Sequence, residues 1–237
     1  MRTLVIPDIH VPFHHRRSIA KLQDFIKRKK PERIVFLGDV LDLHAVSTHR
    51  RDPRWEDNLD KEIRAGRRLL EQIRKLAPKA DIDYIEGNHE DRWNRYCQGR
   101  TPALRLLGFT WDAALGLADL GISVRRKPFS IPCGQGKKVV LLHGHEVKGH
   151  SKFPAGHALN IAKKMGKNVH IGHTHRMGLV SSVFSGRELF AVEGGYLGNF
   201  NSPGFKYMGA VPPEWTRGWQ LYDSDNRDNP FPHMYRV

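Results

Sequence analysis

The first 90 residues alternate between two hydrophobic patterns, and this alternation restricts the fold more than any other feature of the chain. "TLVIPD" at residues 3–8 is a short apolar run of buried-strand type. "SIAKLQDFIKRKK" then places Ile19, Leu22, Phe25 and Ile26 at helical spacing, with Ser18 available as a cap. "RIVFLGD", after Pro31, reads as a second buried strand. "LDKEIRAGRRLLEQIRKLA" returns to helical spacing through Leu59, Ile63, Leu70, Ile73 and Leu76, and "IDYIEGN" is a third strand. A βαβαβ order predicts a parallel sheet carrying helices on its faces.

The second part has more strand character. "KKVVLLHGH" and "NVHIGHTH" are short strands around the helical stretch "GHALNIAKKMG". "LVSSVFSGRELFAVEGG" alternates about Ser185-Gly186, a hairpin signature, and "GWQLYD" reads as a last strand. No repeat and no linker divides the sequence, so residues 1–237 are expected to form one domain. Two stretches fall between elements: the polar residues 44–58 and the Gly-, Pro- and aromatic-rich residues 196–216.

Composition narrows the class. An apolar share of 39% and a charged share of 27% fit a globular protein with a substantial core. Cys97 and Cys133 make no paired motif, which argues against a disulfide scaffold or a thiolate zinc site. No stretch has the length of a membrane span, and "TLVI" is too short for a signal peptide, so the expectation is a cytoplasmic protein. The formal net charge is +14, with basic runs at residues 14–17, 27–30 and 124–127. Such charge is either a solvated surface or an attraction for polyanions, nucleic acid first, and sequence leaves both open.

The chemistry lies at the strand ends. Asp8 and His10 come just after the first strand, Asp39 and Asp42 after the second, and Asn88, His89 and Glu90 after the third. Later strands end in His143-Gly144-His145 and Gly172-His173-Thr174-His175. Open α/β sheets bind ligands outside the carboxyl ends of their strands, which would gather these carboxylates, imidazoles and amide. In "NVHIGHTHRMG" the three histidines are not equivalent, because alternate strand residues face opposite ways: His173 and His175 share a face. His170 is expected to face the sheet or its neighbours.

The ordered set "DxH … GDxxD … GNHE … HGH … GHTH", spanning residues 8–175, resembles the calcineurin-like metallophosphoesterase superfamily. "GNHEDRW" with the late "WTRGW" at residues 215–219 looks most like members encoded by phages and prophages, for which the location would be the host cytoplasm. The resemblance implies a four-layer αββα sandwich, two mixed β-sheets packed face to face between helices. It implies that Asp8, His10 and His175 hold one metal ion, that Asn88, His143 and His173 hold a second, and that Asp39 bridges both. A carboxylate can bridge two cations and neutral imidazoles suit transition metals; manganese is the first choice, with iron, zinc or nickel as alternatives. By the same resemblance a metal-bridging hydroxide attacks phosphorus, His89 contacts the phosphate and protonates the leaving oxygen, and Asp42 supports His89 or a ligand.

Arg92 and Arg176 directly follow motifs and are candidates for gripping phosphate oxygens, and His145 for lining the pocket. His14, His15, His44 and His49 lie on loops near the expected mouth. Trp55, Trp93, Trp215 and Trp219 could stack on bases or pack in the core. The expected activity is a metal-dependent phosphodiesterase acting on nucleic acid or nucleotides, including a nuclease. The alternatives are a phosphomonoesterase of protein-phosphatase type and a non-catalytic, metal-containing nucleic-acid-binding protein. Oligomeric state is not readable from the sequence.

Overall fold

A computed structural model describes residues 1–48, 58–100, 107–149, 151–202 and 214–237. The expected order of elements is present. Strand β1 (Arg2–Ile6) leads to α1 (Arg16–Lys29), β2 (Arg33–Phe36), α2 (Leu59–Leu76) and β3 (Asp81–Ile85). Then come α3 (Glu90–Arg100), α4 (Trp111–Leu115), β4 (Ile122–Arg125), β5 (Phe129–Pro132) and β6 (Lys138–Leu142). The chain continues through α5 (Gly156–Met165), β7 (Asn168–Ile171), β8 (Met177–Phe184), β9 (Arg187–Gly194), β10 (Gly218–Asp223) and β11 (His233–Arg236).

Local chemistry sets the helix ends. The Asn58 side chain caps α2 by accepting from the Lys61 amide at 2.9 Å, with Asp60 and Glu62 in the first turn. Helix α1 starts two residues before Ser18, which does not cap it; the Ser18 hydroxyl instead meets His15 Nδ1 at 2.8 Å. The basic last turn of α1, Lys27 to Lys29, suits the negative end of the helix dipole, and Lys30 closes it in the left-handed conformation.

The strands form two mixed sheets. One has the order β11-β10-β1-β2-β3-β4, parallel from β1 to β4; the other has the order β5-β6-β7-β9-β8, parallel through β6, β7 and β9. Strand alternation sorts the apolar residues into three cores. Leu4, Ile6, Ile34, Phe36 and Tyr84 face α1 and α2, in one core with Leu22, Ile26, Leu70 and Ile73. Val5, Val35, Leu37, Val139, Leu141 and Val192 fill the space between the sheets. Val140, Leu142, Val169 and Ile171 pack on α5 through Ala158, Ile161 and Ala162. Three apolar layers between four structural layers make the αββα sandwich that the family resemblance implied.

The hairpin β8–β9 turns through Ser185 and Gly186, both at positive φ (49° and 72°), the backbone of a type I′ turn. Residues 44–58 open with a single 3₁₀ turn, His44–Val46. His49 and Trp55 lie outside the described residues, as does 203–213 of the second long connection. Among the described residues no helix is long and apolar enough to cross a membrane.

Candidate metal centre

The parallel strands β1, β2 and β3 of one sheet and β6 and β7 of the other end at the same edge of the sandwich. There the backbone is knitted across strands: the Ile9 and His10 amides donate to the Asp39 carbonyl at 2.9 Å, and the Gly172 amide to the His143 carbonyl at 2.9 Å. His10, Asp39, His173 and His175 all adopt positive φ, between 51° and 62°. Left-handed backbone at a non-glycine residue costs on the order of 1–3 kcal/mol and persists where the surroundings impose it. Close approach also needs glycine: a Cβ on Gly172 would lie 2.5 Å from Asp8 Oδ2, and one on Gly87 would overlap the Asp39 carboxylate.

Among the described residues three groups of donor atoms result: His10, Asp42 and His89 form one, and the two others share a carboxylate. Asp8, His10, Asp39 and His175, all buried, bring one ligand atom each to within 4.8 Å of the others, and Asp39, His143 and His173 do the same. Asp39 belongs to both groups. The Asn88 amide oxygen joins the second, 2.9 Å from His143 Nε2 and 2.8 Å from His173 Nδ1.

Hydrogen bonds fix which ring nitrogen faces inward. His10 Nδ1 donates to Asp42 Oδ2 at 3.1 Å, which turns Nε2 toward His175 Nε2, 2.9 Å away. His143 Nδ1 donates to the Leu37 carbonyl at 2.6 Å, which turns Nε2 toward Asn88 Oδ1 and, at 3.3 Å, Asp39 Oδ2. Acceptor atoms therefore face one another at hydrogen-bond distance, an arrangement that needs a positive charge among them.

Protonation points the same way. Burial, with Asp39 close by, pushes the Asp8 carboxyl up to about 7. Burial pulls the His143 imidazole down, but Asp39 and Asp8 outweigh it and lift it to about 10. A proton thus competes for the lone pairs a cation would use. Burial and the neighbouring His143 lower His173 to about 3, and burial with His10 holds His175 well below its usual value. Those two rings are neutral, the form in which imidazole binds metal. Asp, Asn and His in two adjoining groups fit a pair of divalent cations of the manganese, iron or zinc kind, with no metal singled out.

Around this centre lies a supporting layer. The His89 amide donates to Asp39 Oδ1 at 2.9 Å, and its ring Nδ1 donates to the Asp42 carbonyl at 2.8 Å. Its Nε2 accepts from Arg92 at 3.0 Å, and Arg92 also donates to the Asp42 carbonyl at 2.8 Å. Burial lowers the His89 ring to about 4, with Arg92 adding to the effect. Arg92 is thus engaged with His89 and Asp42, and Arg176 with the Ser151 carbonyl (2.7 Å) and Glu193 (3.4 Å). His145 stands exposed beside the second group, its ring 5.3 Å from that of His143.

Three features escaped the sequence reading. Glu90, fully buried, accepts the amides of Asp39 (2.9 Å), Leu41 (3.0 Å) and Gly87 (2.9 Å) and the Tyr84 hydroxyl (2.7 Å). Its only signal was its place in "GNHE". Glu193 accepts from the His157 amide at 3.1 Å and pairs with Arg176; nothing in its strand marks it. Tyr196 stacks on His175 with ring centroids 5.3 Å apart, while Trp215, which the sequence did single out for stacking, meets the same ring at 4.4 Å. Of the tryptophans considered for stacking, Trp219 is buried against Phe25 and Trp93 packs on the first core, its Nε1 donating to the Phe109 carbonyl. His170 is buried between the sheets, 3.2 Å from the Tyr222 hydroxyl. His14 and His44 lie near the site, His44 Nδ1 3.9 Å from Asp42 and His14 bridged to Gly198.

The chain has relatives among known proteins. Over 95% of its length the chain is 27% identical to the Gene 54 protein of Mycobacterium phage L5, covering 90% of that protein. It is also 27% identical to the Gene 54 protein of Mycobacterium phage D29, over 94% of the chain and 89% of the relative. Among solved structures it is similar to a Vps29 single mutant from Entamoeba histolytica (TM-score 0.49, 16% identity, 100% of this chain and 98% of that one). It is likewise similar to YfcE, a phosphoesterase from E. coli (TM-score 0.45, 15% identity, 100% and 98%). The calcineurin-like phosphoesterase profile matches residues 1–177, three-quarters of the chain and every strand end that carries a donor. The chain therefore belongs to the calcineurin-like phosphoesterase family and is a metallophosphoesterase, a hydrolase of phosphate esters.

Proposed function

We propose that this protein is a two-metal phosphodiesterase acting on nucleic acid or nucleotides. The observation that carries the reading is the pair of donor groups sharing one carboxylate, Asp39. Asp8, His10 and His175 would hold the first cation, Asn88, His143 and His173 the second, and Asp39 would be shared between them; manganese is the expected metal. When bound, two divalent cations polarise the phosphoryl oxygens and activate water for in-line attack. Asp42 fixes the His10 ring through Nδ1, so that Nε2 faces His175 Nε2, where a cation would be held.

His89 stands beside the shared carboxylate, its Nε2 3.7 Å from Asp39 Oδ2, and is the side chain placed to donate a proton to the departing oxygen. It rests neutral, with Nε2 taken up by Arg92. Turnover therefore requires Arg92 to yield that nitrogen and Nε2 to take up a proton from solvent before passing it to the departing oxygen; the guanidinium so released is available to a phosphate oxygen. Arg176, tied to Glu193, shapes the wall instead of gripping substrate. Residues 1–237 act as one domain: β10 and β11 close the sheet beside β1, which ties the late strands to the first. Of the connections 44–58 and 196–216, the described residues 44–48, 196–202 and 214–216 stand on the substrate side.

A phosphomonoesterase would use the same donor set; the net charge of +14 favours a polyanionic diester. The test is hydrolysis of bis-p-nitrophenyl phosphate against p-nitrophenyl phosphate, with and without chelator, followed by Mn²⁺. The proposal expects the diester to be preferred, activity to vanish on chelation and Mn²⁺ to restore it. Full activity in a metal-stripped sample would overturn it.

A further inference from the structure

Beside the first donor group stands an aromatic wall with no part in the chemistry of the two cations. Trp215 meets His175 edge-on at 4.4 Å, Tyr196 stacks on the same ring at 5.3 Å and 19°, and Phe200 lies 6.2 Å from Trp215. Trp215 and Phe200 are both half-buried, at the surface of the site instead of in a core. The wall is pinned to the centre by its backbone: the Thr216 amide donates to the His175 carbonyl at 3.0 Å, and the Leu197 amide to the Asp8 carbonyl at 2.6 Å.

The same wall is stitched to the start of α1. The His15 amide donates to the Leu197 carbonyl at 2.7 Å, the Asn199 amide to the Phe13 carbonyl at 2.6 Å, and His14 bridges Gly198. From this junction α1 runs away from the site for about 21 Å. Its outer face exposes Arg16, Arg17, Lys21, Lys27 and Arg28, and its one carboxylate, Asp24, is 3.7 Å from Lys27. Arg217 joins this face at the wall, its guanidinium 5.5 Å from the Tyr196 ring centre. Burial together with Arg217, Arg17 and Lys21 holds the His15 imidazole below its usual value, which places those cations around one ring.

An aromatic surface at the reacting centre, continuous with a line of cations, is the combination that binds a polynucleotide with unstacked bases. We infer that the substrate is single-stranded nucleic acid, seated with a base against Trp215 and its backbone along the outer face of α1. A duplex would keep its bases stacked and away from the indole. The inference rests on the phosphodiesterase reading and adds to it the strand state and the seat.

The test is binding of the full chain to a labelled oligothymidylate and to an abasic strand of equal length, by fluorescence anisotropy, in chelator to stop cleavage. Wild type should prefer the base-bearing strand by roughly 10-fold. Trp215→Leu should erase that preference, and Trp215→Tyr should retain it. Arg16→Glu/Arg17→Glu/Lys21→Glu should weaken both strands and flatten the dependence of log K on log salt by roughly 2–3. Lys163→Glu/Lys164→Glu, in the opposite outer layer, should do neither. Equal binding of both strands by wild type, or equal losses from the two charge reversals, would overturn the inference. Cleavage of the model diester without preferential binding sinks the seat and leaves the activity. Preferential binding without diester cleavage sinks the activity instead.

Discussion

The seam between the two sheets carries polar side chains at two levels, buried at mid-height and buried or half-buried at the edge. At mid-height are His170, Gln220 and Tyr222, set among Val5, Val35, Leu141 and Val192. At the carboxyl edge are Asp8, His10, Asp39, Asn88, His143, His173 and His175. The mid-height groups turn to one another and to the backbone: the Gln220 amide donates to the Gly194 carbonyl at 2.8 Å, and Tyr222 meets His170 at 3.2 Å. The edge groups turn acceptors toward acceptors. His170 and His173 lie three residues apart on one strand and its end, yet one belongs to a packed core and the other to a site that calls for cations. What separates them is the company that opposite strands supply, not the residue type.

Breaking the edge set at its shared member should have the largest effect. Asp39→Ala removes the side chain common to both donor groups, so Mn²⁺-dependent diester hydrolysis should fall to background while the circular-dichroism melt stays cooperative. Retained turnover would mean that the two groups work independently. Next, His89→Asn should lower turnover by roughly 10²–10⁴-fold. Its metal content should match wild type; loss of metal would recast His89 as a ligand.

Glu90 tests whether the site depends on the carboxylate beneath it. Glu90→Gln replaces an acceptor of three amides with a group that also donates, and should cost roughly 10–100-fold in metal affinity or activity. A variant identical to wild type in Mn²⁺ titration would remove Glu90 from the account.

The smallest effect on activity is expected at His170, where stability is the readout. Burial lowers this ring to about 3, against an unfolded value of about 6.5. The unfolded chain therefore takes up a proton before the folded one does, and the stability held above pH 6.5 is lost as pH falls toward 3. The slope is about 1.4 kcal/mol per pH unit within that window. His170→Phe should flatten the fall in unfolding free energy, measured by denaturant titration, between pH 6.5 and 4.5 by a corresponding ~2–3 kcal/mol. Parallel curves for variant and wild type would show that another group carries the acid sensitivity.

Much of this was legible in the sequence, because the signals were local. Leu4, Ile6, Ile34 and Phe36 mark buried strands, Leu22, Ile26, Leu70 and Ile73 mark helix faces, and the motif residues sit where strands stop. The pairing of two mixed sheets came from the family resemblance, since β4, β5 and β11 are short, half-exposed strands with weak alternation. Partnerships across the chain were not legible. Arg92 beside His89, Arg176 beside Glu193 and Glu90 beneath Asp39 depend on how strands converge, which spacing along one segment does not encode.

The central claim is that His173 and His175, two residues apart, serve different cations joined by Asp39. An anomalous difference map from crystals soaked in Mn²⁺ tests it directly. The account predicts two peaks, one within bonding distance of His175, His10 and Asp8, the other of His173, His143 and Asn88, with Asp39 touching both. A single peak, or one ion ligated by both His173 and His175, would contradict it.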